Sequence, residues 1–374
     1  MKLARRDVLI GLGVVLAAGG GARGLLACRH DQGTDPPDRG QILTDLTNKV
    51  IVPTYSDSVT DATALEVSLG ALRDAPTADS LASARAAWKK ARATWKASDA
   101  FLFGPASTNA TSSGAVDSAT DPARVEATIA ADTPLDAAAV DKLGANQRGF
   151  GAIEVALFDP TRDDSTMLAA FGAAGSRRGT FAALAGADLR AKITEVRDGW
   201  VNGYAKELTT AGRGSATFTS EHQGIDIVVN ALVSAAEVLI TLHLAQPLGI
   251  DKDGTPRPDL LESPRSDASL DDLLAELAGI EAGYLGTYRG QSGLSLSAAV
   301  ADRNPSADTS MKNALVKAKA ALSAIPGPLR TAVVERRDPV LAAHAACREV
   351  KRALATEVAG ALGTSLGFTV TDGD

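Results

Sequence analysis

The sequence predicts an all-α protein made of two antiparallel helical-bundle domains, and three observations support this fold class. Nearly every patterned segment after residue 41 repeats its apolar side chains with a period near 3.6. Hydrophobic residues make up 45% of the chain but aromatic residues only 4%, which favours helices packed through small side chains. Polar loops rich in Gly, Ser, Thr and Pro separate the periodic segments, and no strand pattern competes with them.

The first residues predict an export signal. Arg5 and Arg6 precede an apolar run from Val8 to Ala22, which is too short to span a membrane as a helix. The signal resembles a twin-arginine signal, and the "LLAC" that follows resembles a bacterial lipobox with lipid on Cys28. The alternative is an ordinary signal followed by a chance cysteine. We expect residues 1–27 to be removed, 28–40 to be a flexible tether, and the protein to be lipid-anchored in the periplasm.

Periodicity and punctuation then define the helices and the domains. The predicted helices cover residues 41–72, 79–101, 122–130, 135–158, 177–212, 219–247, 268–290, 307–324 and 339–363. Long polar loops cover 103–122 and 247–269. Gly, Ser and Thr concentrate at 209–220, so we predict an N-terminal helical bundle over 41–212 and a C-terminal helical bundle over 213–374.

Composition and missing motifs exclude several classes of protein. The net charge is −7, and residues 1–27 carry a net +3, so the rest of the chain is near −10 and would repel nucleic acid. After Cys28, Cys347 is the single remaining cysteine and cannot form an internal disulfide; it is interpreted as a small buried residue. The sequence contains no H-E-x-x-H, Walker or C-x-x-C motif.

Three acids on apolar helix stripes are the main candidates for a ligand site. Glu154 lies among Phe150, Ile153 and Leu157, while Asp99 and Glu237 occupy similar positions on two other helices. A buried carboxylate requires a cation, several hydrogen-bond donors or a metal. Each acid could instead be a rim residue or half of a salt bridge. We predict that the three share one polar site that holds iron or another divalent cation.

Further candidates are less specific. His222 and Asp226 have the i, i+4 spacing of two ligands on one helix face, or they form a solvent-exposed pair at a helix start. His243 is interpreted as a core or interface histidine. Without a metal, the candidate counter-charges for the buried acids are those of Arg92, Arg148 and Arg265.

Several segments together resemble the imelysin family, and its periplasmic lipoprotein branch in particular. They are the lipobox, "AWKKARATWKASDAFLFGP", "RGFGAIEVALF", "NALVSAAEVLITLHLAQPLGI", "ESPRSDASLDDLLAELAGIEAGYLG" and "LGFTVTDGD". The resemblance covers nearly the whole chain after the signal. The resemblance implies two helical bundles with a site between them and a link to iron uptake or metal binding at the cell envelope. The family has also been classified as a peptidase family.

The family signature G-x-H-x-x-E is incomplete in this chain. Gly149 and Glu154 match it, but Gly151 replaces the histidine, so a metallopeptidase mechanism based on that imidazole is difficult to support. The resemblance also suggests that Trp95 and the loop containing Glu262, Arg265 and Ser266 line the site. A metal site would then depend on carboxylates, or on His222 or His243 from the second bundle.

We therefore predict an envelope lipoprotein that binds iron, another metal ion or a small ligand and works with metal-transport proteins. Two alternatives remain open. One is a scaffold or interaction lipoprotein whose ancestral site has decayed, with Glu154 in a buried ion pair. The other is a peptidase-type hydrolase, which would need a nucleophile or an activated water near Glu154.

Overall fold

Helices account for almost all regular structure in the computed structural model, which describes residues 37–108 and 114–367. The all-α prediction is therefore confirmed for this part of the chain. The predicted signal peptide (1–27), Cys28 and most of the predicted tether lie outside the described residues. The last residues of the predicted C-terminal bundle, 368–374, also lie outside them.

The described helices are numbered in chain order. The first eight are α1 Arg39–Leu46, α2 Val52–Asp74, α3 Ala78–Ala97, α4 Pro105–Thr108, α5 Pro122–Ala130, α6 Ala137–Asp141, α7 Gly149–Leu157 and α8 Asp164–Phe171. The next five are α9 Arg177–Gly199, α10 Ala205–Thr209, α11 Glu221–Ile240, α12 Gln246–Leu248 and α13 Ser269–Leu285. The last five are α14 Leu296–Arg303, α15 Pro305–Ser323, α16 Leu329–Glu335, α17 Arg337–Arg352 and α18 Ala359–Leu362. Single π-helical turns join α1 to α2 (Thr47–Ile51), α9 to α10 (Trp200–Tyr204), α11 to α12 (Thr241–Ala245) and α17 to α18 (Ala353–Val358). Short 3₁₀ turns cover Ser98–Phe101, Ala145–Gln147 and Pro258–Leu260.

Two long predicted helices are shorter in the structure, one divided after Asp141 and one ended before Gly286. The segment 135–158 divides into α6, the 3₁₀ turn and α7, because Arg148 is extended and Gly149 has a φ of 70°. The segment 268–290 stops at Leu285, where Gly286 adopts the left-handed conformation that commonly ends a helix. A small hairpin follows, with β1 (Thr287–Tyr288) antiparallel to β2 (Gln291–Ser292). The short helices α8, α14 and α16 lie in segments that periodicity did not identify as helical.

The long helices pack in two groups that meet at α3 and α13. In the first group α2 lies between α3 and α9, and in the second α15 packs on α17. Helix α13 contacts α3, α11 and α15, so it joins both halves of the chain. The described residues pack as one compact unit, and the loop between α10 and α11 lies where the domain boundary was expected. The division into two bundles at residue 213 stays a prediction.

One described helix, Glu221–Leu248, is long and apolar enough to cross a membrane, with a mean hydropathy of 2.0. Core helices of compact proteins meet the same criterion. In this fold α11 packs against α13 and α17, and Val228, Leu232 and Leu239 are buried in the core. The apolar character of this helix is therefore explained by its packing.

Gly279 brings α13 unusually close to α3. A Cβ at this position would overlap the carbonyl oxygen of Ala97, and backbone atoms cannot rotate away as a flexible side-chain end can. A glycine inside a helix costs roughly 0.5–1 kcal/mol against alanine. Here the close packing of α3 against α13, which a side chain at position 279 would prevent, offsets that cost.

We expect Gly279→Ala to lower the free energy of unfolding by roughly 1–3 kcal/mol, because the new methyl group forces α3 and α13 apart. Gly70→Ala in α2 is the matched control, since a Cβ there meets no atom within 4 Å. The control should raise stability by about 0.5–1 kcal/mol. Urea titrations of both variants measure the two effects. Equal effects of the same sign would contradict the close-approach argument.

Candidate functional site

Two cations are buried on α3, one turn apart. Arg92 and Lys96 are each only 2% exposed, beside the buried Trp88 and Trp95. The guanidinium of Arg92 lies over the ring of Phe150, 5.5 Å from its centroid. A buried cation is stable only when nearby anions or acceptors replace its hydration shell. These two side chains therefore require acidic partners from the elements packed against α3.

Five carboxylates supply these partners. Arg92 contacts Asp117 at 2.5 Å, Asp272 at 3.3 Å and Glu262 at 3.4 Å. The Nζ of Lys96 lies 2.5 Å from Asp99, 2.8 Å from Glu262, 2.9 Å from Glu276 and 3.8 Å from Asp117. Asp272 and Glu276 lie one turn apart on α13, while Asp117 and Glu262 come from the two long loops. The charges of both halves of the chain thus meet at one place.

His243 completes this group, which we call the charge cluster: Arg92, Lys96, Asp99, Asp117, His243, Glu262, Asp272 and Glu276. The imidazole Nε2 lies 2.9 Å from Glu262 Oε1, and Nδ1 lies 2.8 Å from Glu276 Oε2. His243 belongs to the π-helical turn Thr241–Ala245, and such turns often occur at functional sites. Among the described residues, His243, Glu262 and Glu276 are the group whose candidate ligand atoms all lie within 4.8 Å of one another.

The charge cluster contains more negative than positive groups. Desolvation opposes the charge of His243, but the Coulombic effects of Glu276 and Glu262 outweigh it and raise the pKa of the imidazole to about 10. Burial raises the pKa of Asp99 to about 7, against the effect of Lys96. Burial also raises the pKa of Asp272 to about 6, against the effect of Arg92. Even with a protonated imidazole, five carboxylates exceed three cations, so the cluster favours further protons or a cation.

Glu154 lies beside the charge cluster but has its own partners. The carboxylate is 3% exposed, and its Oε1 accepts hydrogen bonds from the Arg265 amide at 3.2 Å, the Ser266 amide at 2.8 Å and the Ser266 hydroxyl at 2.7 Å. Burial raises the pKa of Glu154 to about 7, although the hydrogen bonds from Ser266 oppose this rise. The acid predicted to hold a ligand or an arginine holds the main chain of the 262–268 loop instead.

The same loop is fixed at two further points. The side chain of Arg265 turns away from Glu154 and donates to the carbonyl of Phe158 at 3.0 Å. Asp267 has a φ of 59°, which is rare for a residue other than glycine, and it pairs with Arg330 at 2.5 Å. These contacts fix the loop whose first residue, Glu262, enters the charge cluster.

The two signature glycines have separate steric explanations. Gly149 has a positive φ, and a Cβ there would overlap the carbonyl oxygens of Ala115 and Val116. At Gly151 a Cβ would overlap the hydroxyl of Thr120. Thr120 therefore fills the space beside α7 that a side chain at position 151 would need, and the chain could not regain the signature histidine without moving Thr120.

The structure places the other predicted site residues in three different environments. Trp95 is buried and packs edge-on against Tyr55, with ring centroids 6.3 Å apart. Glu237 pairs with Lys351 at 3.0 Å. Asp99 does join the charge cluster through Lys96. Asp99, Glu154 and Glu237 thus have different partners, and they are not among the described groups whose ligand atoms all lie within 4.8 Å of one another. A single site shared by the three acids stays a prediction.

His222 and Asp226 form a separate pair near the start of α11, 3.6 Å apart, and Arg39 contacts the imidazole at 3.1 Å. Of the predicted counter-charges, Arg148 lies outside the charge cluster. Arg148 pairs with Asp188 at 2.5 Å and with Asp141 at 3.1 Å. Arg92 is the predicted counter-charge that does lie within the charge cluster.

Sequence reasoning missed Lys96, Asp117, Asp272 and Glu276. The two acids of α13 had a detectable signal, because they are one turn apart on a stripe with Leu273, Leu277 and Ile280. Glu154 was selected by the same criterion, an acid on the apolar stripe of a helix. Lys96 lies among several other basic residues of α3, so the sequence pattern gave no sign that its side chain is buried.

The raised pKa of Glu154 predicts a specific pH dependence of stability. Because the folded-state pKa of about 7 exceeds the usual 4.5, the folded protein binds this proton more tightly than the unfolded chain does. The contribution of Glu154 to stability is therefore fully present below about pH 4.5 and is lost as the pH rises toward 7. Relative to Glu154→Gln, the wild type should lose on the order of 3 kcal/mol over this range.

Urea unfolding of both proteins at pH 5 and pH 7 measures this difference. The glutamine carbonyl can still accept the three hydrogen bonds, so the variant is a fair reference. Glu154→Ala leaves those donors without an acceptor and should be destabilised at both pH values. Parallel pH profiles of the wild type and the glutamine variant would refute the argument.

Comparison with known proteins agrees with this architecture. The chain is 27% identical over 333 residues to Iron-regulated protein A of Synechococcus elongatus, covering 85% of each chain. A crystal structure described as an iron-regulated protein A precursor from Parabacteroides distasonis has a TM-score of 0.74 and 23% identity, covering 87% of this chain and 95% of that one. An Imelysin-like protein from Psychrobacter arcticus has a TM-score of 0.71 and 18% identity, covering 89% and 99%. These structures show a shared fold.

The family model described as Imelysin matches residues 51–356, which includes α2 to α17 and every member of the charge cluster. That match covers well over half of the chain. The chain therefore belongs to the imelysin family.

Proposed function

We propose that this protein binds a metal cation, with iron as the preferred cargo, at His243, Glu262 and Glu276. The observation that carries this proposal is the convergence of one imidazole and two carboxylates within 4.8 Å in a partly buried cluster that has an excess of acids. Anything held among these side chains must be small. A metal ion meets that requirement, and it would offset the unbalanced negative charge.

The distances and the donor types fit an ion. Metal–nitrogen and metal–oxygen bonds are about 2.0–2.3 Å long, so two ligands of one ion lie no more than about 4.6 Å apart. Small side-chain movements would bring the three ligand atoms into that range. Neutral imidazole with carboxylate oxygens suits iron and zinc better than it suits soft thiophilic ions. Because the pKa of His243 is raised to about 10, a bound ion would have to displace the imidazole proton. Asp272 Oδ1 is buried without a hydrogen-bond partner, so a further acceptor is present in the cluster.

The preference for iron rests on relatives. Two of the similar proteins are described as iron-regulated, one by sequence and one by structure. A protein whose production follows iron supply commonly works in iron acquisition. The resemblance of residues 1–28 to an export signal with a lipobox adds a location. We place the protein at the cell envelope, anchored by lipid on Cys28, where it would hand its cargo to metal-transport proteins.

One alternative has an observation in its favour. Lys96 and Arg92 already neutralise part of the acidic cluster, as expected for a scaffold lipoprotein whose ancestral site has decayed. The hydrolase alternative has no comparable observation. Glu154 is engaged with the amides of the 262–268 loop, and position 151 is glycine.

The metal proposal is tested by isothermal titration of the purified full-length protein in detergent. Fe²⁺ under anaerobic conditions should bind with one-to-one stoichiometry, and Zn²⁺ and Ca²⁺ serve for comparison. Glu262→Gln should weaken Fe²⁺ binding at least tenfold, because it removes a charged ligand. His222→Gln is the matched control and should bind like the wild type. No binding to the wild type, or equal binding to both variants, would reject the proposal.

The anchor is tested separately by detergent phase partition of cell membranes. Cys28→Ser should move the protein from the detergent phase to the aqueous phase, because the serine cannot accept the lipid. Cys347→Ala is the control, since Cys347 is buried in the fold and should not affect partition. If the serine variant stayed in the detergent phase, the lipid anchor would have to be abandoned.

A further inference from the structure

The ammonium group of Lys96 lies where carboxylates converge most closely. Its Nζ lies within 3.0 Å of one oxygen each of Asp99, Glu262 and Glu276, and 3.8 Å from Asp117. Two of these acids, Glu262 and Glu276, each direct one oxygen to Lys96 and the other to His243. The lysine and any ion bound to His243 would therefore compete for the same two carboxylates.

We propose that Lys96 is a built-in competitor, a tethered cation that fills the site in the free protein and is displaced when a metal ion binds. This inference rests on the metal-binding function proposed above. A metal ion held by Glu262 and Glu276 would lie close to Nζ, and two cations at that separation repel strongly in a buried site. Binding must therefore move the ammonium group.

Lys96 has both the freedom and the partners to move. Its four-carbon stem carries a compact charge with three rotatable donors, unlike the rigid fork of arginine. Asp99 and Asp117, whose side chains are 14% and 21% exposed, would remain as its partners. Of the two acids left to the metal, Glu276 is 2% and Glu262 23% exposed. The ammonium group can thus withdraw toward Asp99 and Asp117 and leave Glu262 and Glu276 to the metal.

Lys96 does not satisfy all the carboxylate oxygens around it with well-aligned hydrogen bonds. Glu276 Oε1 is buried and lacks a hydrogen bond of normal geometry, although Nζ is only 2.9 Å away. Asp272 Oδ1, in the same cluster, is also buried without a partner. Glu276 Oε1 thus contacts the ammonium as an ion pair without a well-aligned hydrogen bond, and Asp272 Oδ1 has no donor, so the cations present do not satisfy every carboxylate oxygen of the cluster.

Displacement also predicts which cations are accepted. Sodium or potassium would replace one unit charge by another and gain nothing for the loss of the ammonium contacts. A divalent or trivalent ion brings additional charge to a cluster with an excess of acids. The tethered ammonium therefore selects multivalent cations over the monovalent ions that are more abundant around the cell.

The test compares Lys96→Met with Lys89→Met, an exposed lysine on the same helix, by titrating the full-length protein with Fe²⁺ under anaerobic conditions. Lys96→Met should bind Fe²⁺ at least tenfold more tightly than the wild type, and Lys89→Met should bind like the wild type. Lys96→Gln keeps a donor for Glu262 without the charge and should also bind more tightly. Na⁺ at tenfold higher concentration should weaken binding to the Lys96 variants more than to the wild type.

The outcomes separate this inference from the proposed function. If the wild type fails to bind but Lys96→Met binds, the function proposed for the wild type is lost and the competitor role stands. If the wild type binds and Lys96→Met binds equally or more weakly, the competitor role is overturned alone. If neither binds, both are overturned. If both Lys96 variants fail to fold even with 1 mM Fe²⁺ present, the competitor role is overturned, because a metal ion then cannot replace the ammonium.

Discussion

The carboxylate of Glu154 fixes the loop on which the rest of the candidate site depends. One of its two oxygens, Oε1, accepts from two consecutive main-chain amides and one hydroxyl at residues 265 and 266. These donors belong to the segment that leads from Glu262 to the start of α13. Without that acceptor, two buried amides would lack a partner, and the loop would have no fixed position relative to α7. The acid of the family signature thus acts here through the backbone of another segment.

The charge cluster is a costly arrangement that only the whole fold can support. Buried ion networks are commonly neutral or unfavourable compared with apolar packing, because desolvation offsets the Coulombic gain. Arg92 and Lys96 come from α3 and His243 from the π-helical turn after α11. The acids come from the 3₁₀ turn after α3, from α13 and from two long loops, so no single element could maintain the cluster. The close approach of α13 to α3 at Gly279 brings these opposite charges to contact distance. Such a network is more readily understood as a retained site than as a source of stability.

The sequence was sufficient for the fold class, most helices and part of the site. Period-3.6 patterns report burial along one helix, so they identified Glu154 and Asp99 as acids on apolar stripes. They do not report which stripes face each other. Glu237 has the same local pattern as Glu154, yet it pairs with Lys351, because the partner of a buried acid is decided by tertiary packing. His243 was interpreted as a core or interface histidine, with metal ligation from the second bundle as an alternative. The π-helical turn that contains it is not visible in periodicity.

That π-helical turn has a consequence for how such a site can be gained or lost. A turn of this kind contains one residue more than the regular helix around it, and each residue rotates the helix by about 100°. If Thr241 or Leu242 were deleted, the helix would become regular, and the histidine would take the direction that Leu242 now has. Leu242 is 39% exposed, so the imidazole would then point toward solvent, away from Glu262 and Glu276. A single-codon deletion could therefore remove the imidazole from the site while the helical core remained, so within one fold the site can change independently of the scaffold.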